Sequence, residues 1–376
     1  MKLLIFIDWY FPAYRGGGPI VSVRNLAELL KDDVEIFVVT SDKDLEELLP
    51  IIDTNVWILV DKVKVNYLSS NKRNVREIYR LIKSVEPDAI YLNSMYSKIY
   101  TIIPLLCLLL IDFKPKIILA PRGMLHQGAV KYRQFKKKLF LLLFRAIGFN
   151  NRVFFHATDK QESDDIVRLI KASSIQVQVV PNVVGLNGLD LGKVDKNKNR
   201  LKIAYISRIT PKKNLLYFLK ILERCDNAIN IDLSIYGHKE MEYWKKCNDV
   251  IQLLPFNIKV SYLGTLPHNS VAEKIMENHF TVLPTLGENF GHSIFESFAA
   301  GRPVLISDQT PWRNLEKKNI GWDIPLKEKD LWLSVIERMA EMSQDEYDSM
   351  SQASWDFAKE YSRNMDLKDK YIEMFS

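Results

Sequence analysis

Short apolar runs alternate with helically spaced segments along almost the whole chain, and this alternation limits the fold more than any other feature. In the first half the runs are 2–8, 34–40, 63–68, 89–93, 116–120, 153–157 and 176–180. In the second half they are 202–206, 231–236, 259–263, 280–283 and 304–306. Each has the length of a buried strand, and most are followed by a segment of helical period, which predicts α/β units on mostly parallel sheets. Residues 42–60 show no clear pattern. A chain of 376 residues, 47% hydrophobic, exceeds one ordinary core, so two domains are expected. Pro181-Asn182 closes the first, and residues 185–200, with glycines and asparagines among charges, suit a linker. The expected division is an N-terminal domain over 1–184, the linker 185–200, a C-terminal domain over 201–360, and a last helix over 361–376 packing back on the first domain. Two doubly wound, Rossmann-like domains would face a cleft, with ligands at the carboxyl ends of the strands.

Composition excludes several classes. Cys107, Cys225 and Cys247 have no metal-binding spacing and sit in apolar or helical contexts, which suits a reducing compartment. Met1-Lys2 runs straight into a strand with no small-residue cleavage site, so no signal peptide is expected. The longest apolar run, 99–111, is interrupted by Pro104 and falls short of the roughly 18–20 residues that span a bilayer.

The chemistry concentrates in residues 280–303. A buried strand ends at Leu283, and Pro284 with two glycines breaks the pattern. A helix follows with Ile294, Phe295, Phe298 and Ala299 on one side. Glu288 lies in the loop and Glu296 in the helix, with the backbone N–H groups of Phe290 to Ser293 between them. A helix N-terminus favours anions, so this layout suits a ligand with hydroxyls at its ends and phosphates in its middle. Glu296 has a second reading: Ser293-Ile294-Phe295-Glu296 matches the capping box, in which Glu folds back to the helix start. Arg208 and Lys213, after the first strand of the second half, suit either a polar surface loop or a diphosphate site.

Taken together, Arg208, Lys213, Glu288-Asn289-Phe290-Gly291 and Glu296, with Ala300-Gly301-Arg302-Pro303, resemble the retaining glycosyltransferases of family 4, the group 1 glycosyltransferases of GT-B fold. Pro121-Arg122-Gly123-Met124-Leu125 resembles a subset of that family found in bacterial surface-polysaccharide clusters. The resemblance implies that Arg208 and Lys213 bind the donor diphosphate and neutralise the departing charge. It implies that Glu288 meets the donor sugar and Glu296 the ribose. The phosphates would meet the amides of Asn289, Phe290, Gly291, His292 and Ser293, and the glycine loop containing Gly17 and Gly18. Many family members carry a histidine after a mid-domain strand, where this chain has Asn93-Ser94. His126 is the nearest candidate for that catalytic role, and Arg122 a candidate for acceptor or phosphate binding. His292 stands where an apolar residue is common and would line the pocket. The implied donor is a nucleotide sugar, with UDP favoured over GDP, and the acceptor a glycan or lipid-linked intermediate of capsule or O-antigen synthesis. No cofactor or metal is expected. Rival functions are a nucleotide-sugar 2-epimerase of the same fold and a catalytically silent glycan-binding protein. An NAD-dependent oxidoreductase is disfavoured, because Gly16-Gly17-Gly18 lacks the G-x-G-x-x-G spacing.

Residues 113–158 hold ten Lys or Arg and no Asp or Glu, although the net charge of the chain is only +6. Within them, 131–147 has an apolar stripe of Phe135, Leu139, Leu142, Leu143 and Ala146, expected to face the core. A basic amphipathic helix of this kind predicts contact with a membrane surface and a cytoplasmic protein peripheral on the inner face of the membrane. Nucleic acid is not an expected partner. Asp42-Lys43-Asp44, a lone D-x-D, is expected to face solvent.

Overall fold

The computed structural model describes residues 1–49, 53–125, 134–185, 191–363 and 367–376. The chain divides into two compact units, Met1–Val184 with Asp366–Ser376, and Gly185–Met365.

The first unit is built on an eight-stranded sheet. Its strands lie in the order Val177–Val179, Phe154–Ala157, Lys116–Leu119, Ala89–Leu92, Lys2–Phe6, Glu35–Ser41, Val63–Leu68 and Trp57–Val60. Every neighbouring pair is parallel except the last, where the edge strand runs antiparallel. Lys2–Phe6 sits between a strand that follows it directly and one that comes much later, so strand order reverses beside it. The second unit repeats the scheme with six parallel strands: Ile258–Tyr262, Asn230–Tyr236, Arg200–Ile206, Phe280–Leu283, Val304–Ser307 and Gly321–Ile324. Here the order reverses between Arg200–Ile206 and Phe280–Leu283. Both of these strands carry helices on their faces, which is why Phe280–Leu283 is buried at every position and reads as an unbroken apolar run.

Some expectations need correction. The helix expected around 99–110 is shorter. A π turn, Lys98–Ile102, leads into the helix Ile103–Cys107. Pro104 has no N–H to give an intrahelical partner, and the preceding turn closes instead through Ile102 N–H to Ser97 O. Residues 42–60 contain a two-residue hairpin, Lys43–Asp44 with Glu47–Leu48, and the edge strand Trp57–Val60. The described part of the supposed linker is tied to the second unit: Lys196 Nζ donates to Ala340 O at 2.9 Å, and Gln344 Nε2 to Val194 O at 3.2 Å.

Arg302 belongs to this scaffold rather than to the site. Its guanidinium is fully buried and donates to the carbonyls of Met276, Asn278, Ala300, Gly301 and Gly192. A buried cation is tolerated because five acceptors replace its water. In the first unit the last helix, Leu367–Phe375, lays Tyr371 and Phe375 against His156 and Tyr91. Among the described residues, no helix is long and apolar enough to cross a membrane.

Candidate functional site

In the second unit, the loops that follow the two strands at the reversal point meet. Lys213 comes from the loop after Arg200–Ile206, and Glu288 from the loop after Phe280–Leu283. Lys213 Nζ donates to Glu288 Oε1 at 2.5 Å, with side-chain exposures of 15% and 10%. Thr285 Oγ1 donates to the same carboxylate at 2.9 Å, and Leu286 N–H reaches across to Lys212 O at 2.8 Å. Burial alone would raise the Glu288 carboxyl. Lys213 and Lys212, with hydrogen bonds from Lys213 and Thr285, outweigh it and hold the group below the ordinary carboxylate range. Arg208, from the loop that carries Lys213, is exposed. Among the described residues its guanidinium has no carboxylate partner, so its charge is uncommitted.

The helix His292–Ala299 decides between the two readings of Glu296. Its N-cap is Gly291, in the left-handed region at φ 78°, and no side chain caps it. At that φ a side chain would be strained, and a Cβ at Gly291 would also lie 2.8 Å from Ile294 Cδ1 and have to displace it. This start is two residues earlier than the capping-box pattern demands, and it puts Ile294, not Glu296, at the position that reaches back. Glu296 therefore does not cap. It points toward His268, with Oε1 3.6 Å from Nδ1. Burial pushes its carboxyl up to about 7. At the helix start, the N–H groups of Phe290, Gly291 and Ser293 donate to no other group among the described residues. The His292 ring packs 4.9 Å from Phe290. Asn289 completes the loop between Glu288 and the helix.

In the first unit, Gly17 is the N-cap of the helix Gly18–Leu30, with φ 80° and ψ −144°, a conformation open only to glycine. No side chain caps this helix and no acidic residue lies in its first turn. The preceding loop is held from below. Asp44 accepts from Tyr14 N–H at 3.0 Å and Arg15 N–H at 3.1 Å. Asp42 pairs with Arg73. Both aspartates are buried, contrary to the solvent-facing expectation, because these contacts supply the donors that water would otherwise provide.

Arg122 lies in the loop after the strand Lys116–Leu119, with φ 54°. Its Nε donates to Asn93 Oδ1 at 3.1 Å, Nη1 to Asn182 Oδ1 at 2.5 Å, and Nη2 to Tyr91 Oη at 2.8 Å. Tyr91 Oη stands 2.5 Å from His156 Nδ1, and His156 Nε2 stands 2.7 Å from Val180 O. A carbonyl only accepts, so Nε2 carries the proton and Nδ1 accepts from Tyr91. Burial, and secondarily Arg122, lowers His156 to about 3 and keeps it neutral. Most of the Arg122 donors are thus engaged within the unit. His126 lies outside the described residues.

The basic segment corrects another expectation. Its described helix is Gln134–Ala146. Leu139, Leu142 and Leu143 are 48%, 57% and 52% exposed, while Leu141 and Phe144 are buried. The run Leu139 to Phe144 is apolar on every side, so its period does not choose a face. Aromatic area does: Phe140 packs at 5.2 Å on Tyr96, and Phe144 at 5.4 Å on Phe149.

Sequence reasoning passed over Thr285, His268 and Trp312. The last donates its indole N–H to Phe290 O at 2.5 Å. His268 and Trp312 act through contacts distant in sequence, with Glu296 and Phe290, while Thr285 acts on Glu288 three residues further on.

Comparison with known proteins bears on this arrangement. Residues 190–354 match the family described as Glycosyl transferases group 1. An uncharacterized glycosyltransferase of Methanocaldococcus jannaschii is 27% identical over 105 residues, covering 28% of this chain and 26% of that protein. The match thus spans about a quarter of that relative. The Anabaena protein HepE, crystallised with UDP and glucose, superposes with a TM-score of 0.72 at 13% identity, covering 99% of this chain and 98% of HepE. WaaG, a glycosyltransferase involved in lipopolysaccharide biosynthesis, gives 0.71 at 12% identity, with all of both chains covered. The chain therefore has the GT-B fold, and its residues 190–354 are similar to the group 1 glycosyl transferases.

Proposed function

We propose that the protein is a retaining glycosyltransferase that moves a sugar from a nucleotide-sugar donor, UDP rather than GDP, to a glycan or lipid-linked acceptor in capsule or O-antigen synthesis. The observation that carries this reading is the Lys213–Glu288 pair beside the uncommitted charge of Arg208, within the segment that matches the family. A departing nucleoside diphosphate needs fixed positive charge where negative charge develops. Arg208 and Lys213 supply it, and the free N–H groups of Phe290, Gly291 and Ser293 add donors to the same anion. Glu288 would take donor-sugar hydroxyls and Glu296 the ribose diol, since its carboxylate is not engaged in a cap. Departure of the diphosphate and attack by the acceptor hydroxyl would occur on one face of the sugar, with the hydroxyl proton passing to the leaving phosphate oxygen.

UDP is favoured because HepE of the same fold was crystallised with it, and the surface-polysaccharide setting because WaaG serves lipopolysaccharide synthesis. Exposed leucines among basic residues on the helix Gln134–Ala146 support docking on an anionic membrane surface, where a lipid-linked acceptor would lie. The test is incubation with a panel of UDP- and GDP-sugars, with and without a lipid-extract acceptor. Acceptor-dependent release of nucleoside diphosphate supports transfer. Epimerised donor in the absence of acceptor would favour the epimerase instead.

A further inference from the structure

The loop that carries Glu288 is held in place by the end of the next strand, Val304–Ser307, and the loop after it. Ser307 Oγ donates to Thr285 O at 2.6 Å, Glu288 N–H donates to Gln309 O at 2.9 Å, and Trp312 Nε1–H donates to Phe290 O at 2.5 Å. Of these, the tryptophan contact bears on the phosphate-facing amides. Trp312 is buried, with Phe295, Phe298 and Tyr361 around its ring. Its own backbone is fixed by Thr310 Oγ1, which accepts from Trp312 N–H at 3.2 Å. The indole is therefore a fixed post, and the loop conforms to it.

A trans peptide is planar, so the C=O of one residue and the N–H of the next point to opposite sides. Anchoring Phe290 O on the indole turns Gly291 N–H away from the aromatic cluster. That N–H donates to nothing among the described residues. Gly291 has no Cβ to oppose rotation of this peptide, and its φ of 78° already lies in a region where glycine moves freely. Rotation would exchange the two ends and present a carbonyl oxygen where the N–H now stands. A carbonyl there would repel a phosphate. The Trp312 bond opposes that rotation.

We propose that Trp312 is a positioning residue of the donor site, whose indole N–H locks the Phe290–Gly291 peptide so that an N–H rather than a carbonyl faces the diphosphate of a nucleoside diphosphate ligand. The proposal rests on the donor reading above and adds a residue that never touches the ligand.

The test is calorimetric titration of wild type and Trp312→Phe with UDP, GDP, uridine and guanosine. Phenylalanine keeps the aromatic packing and removes the donor. The preferred diphosphate should bind about tenfold more weakly to the variant, while its parent nucleoside binds equally to both. Phe357→Leu serves as the control, since Phe357 packs on the same ring at 6.1 Å without a bond to the loop. It should lower thermal stability yet keep the diphosphate increment. An unchanged increment in Trp312→Phe overturns the proposal, as does an equal loss in Phe357→Leu. Failure of the wild type to bind either diphosphate overturns the donor reading itself, and is distinct from binding that Trp312→Phe leaves intact.

Discussion

Lys213 Nζ lies 2.5 Å from Glu288 Oε1, and the two come from loops that leave adjacent parallel strands where strand order reverses. The lysine and the carboxylate satisfy each other. A diphosphate at this ammonium would compete with Glu288 for it.

Glu288→Gln should therefore act on stability and catalysis together. Loss of the counter-charge should cost about 3 kcal/mol at pH 7, the usual scale for breaking a buried pair. The Glu288 carboxyl is depressed in the folded state. Its contribution is present above the unfolded value of about 4.3 and fades as pH falls through the lower folded value. Urea denaturation of wild type and variant at pH 7 and at pH 3–4 checks this: the gap should narrow in acid. Turnover should fall roughly 100-fold.

Glu296 should show the opposite pH signature. Its folded carboxyl is raised to about 7. Between the unfolded value and about 7 the folded state holds the extra proton, so stability falls as pH rises through that window. Glu296→Gln keeps the shape and removes the titration. It should be more stable than wild type by roughly 1–3 kcal/mol at pH 8 and close to equal at pH 4. Chemical denaturation across pH 4–8 measures both limits. A variant less stable at pH 8 would restore a structural role for the carboxylate.

The helix Gln134–Ala146 should bind anionic vesicles through Leu142 and Leu143 as well as through charge. Replacing both leucines with serine should reduce co-sedimentation with phosphatidylglycerol vesicles. Replacing Lys137 and Lys138 with glutamine should weaken it by about 1 kcal/mol per residue, in a salt-dependent manner. Neither pair should change turnover of a water-soluble donor in the absence of vesicles. Equal binding of all variants would remove the membrane surface from the account.

The fold was legible wherever both faces of a strand are covered. Phe280–Leu283 and Val304–Ser307 are buried throughout, so their apolar runs stood out from the helices around them. Residues 42–60 were not legible, because their order depends on single contacts such as Asp44 with the Tyr14 and Arg15 amides, which leave no period. The helix containing Leu139 to Phe144 was seen but its face was misread, since leucine fills every side and only the aromatic neighbours choose. In the site, Arg208, Lys213, Glu288 and Glu296 were visible by type and order. The register of the Glu296 helix was not, because a glycine in the left-handed region starts it two residues before the serine that looked like its cap. Trp312 was invisible, since its partner is a backbone carbonyl 22 residues away.

The central claim is that Arg208 and Lys213 carry the charge of a departing nucleoside diphosphate. Its most direct measurement is donor turnover by wild type, Arg208→Ala and Lys213→Ala with the nucleotide sugar that wild type uses fastest, after circular dichroism has shown all three folded. The account predicts that each variant loses at least about 100-fold in kcat while keeping most of its affinity for the free nucleoside. Near-normal turnover in both variants would contradict it.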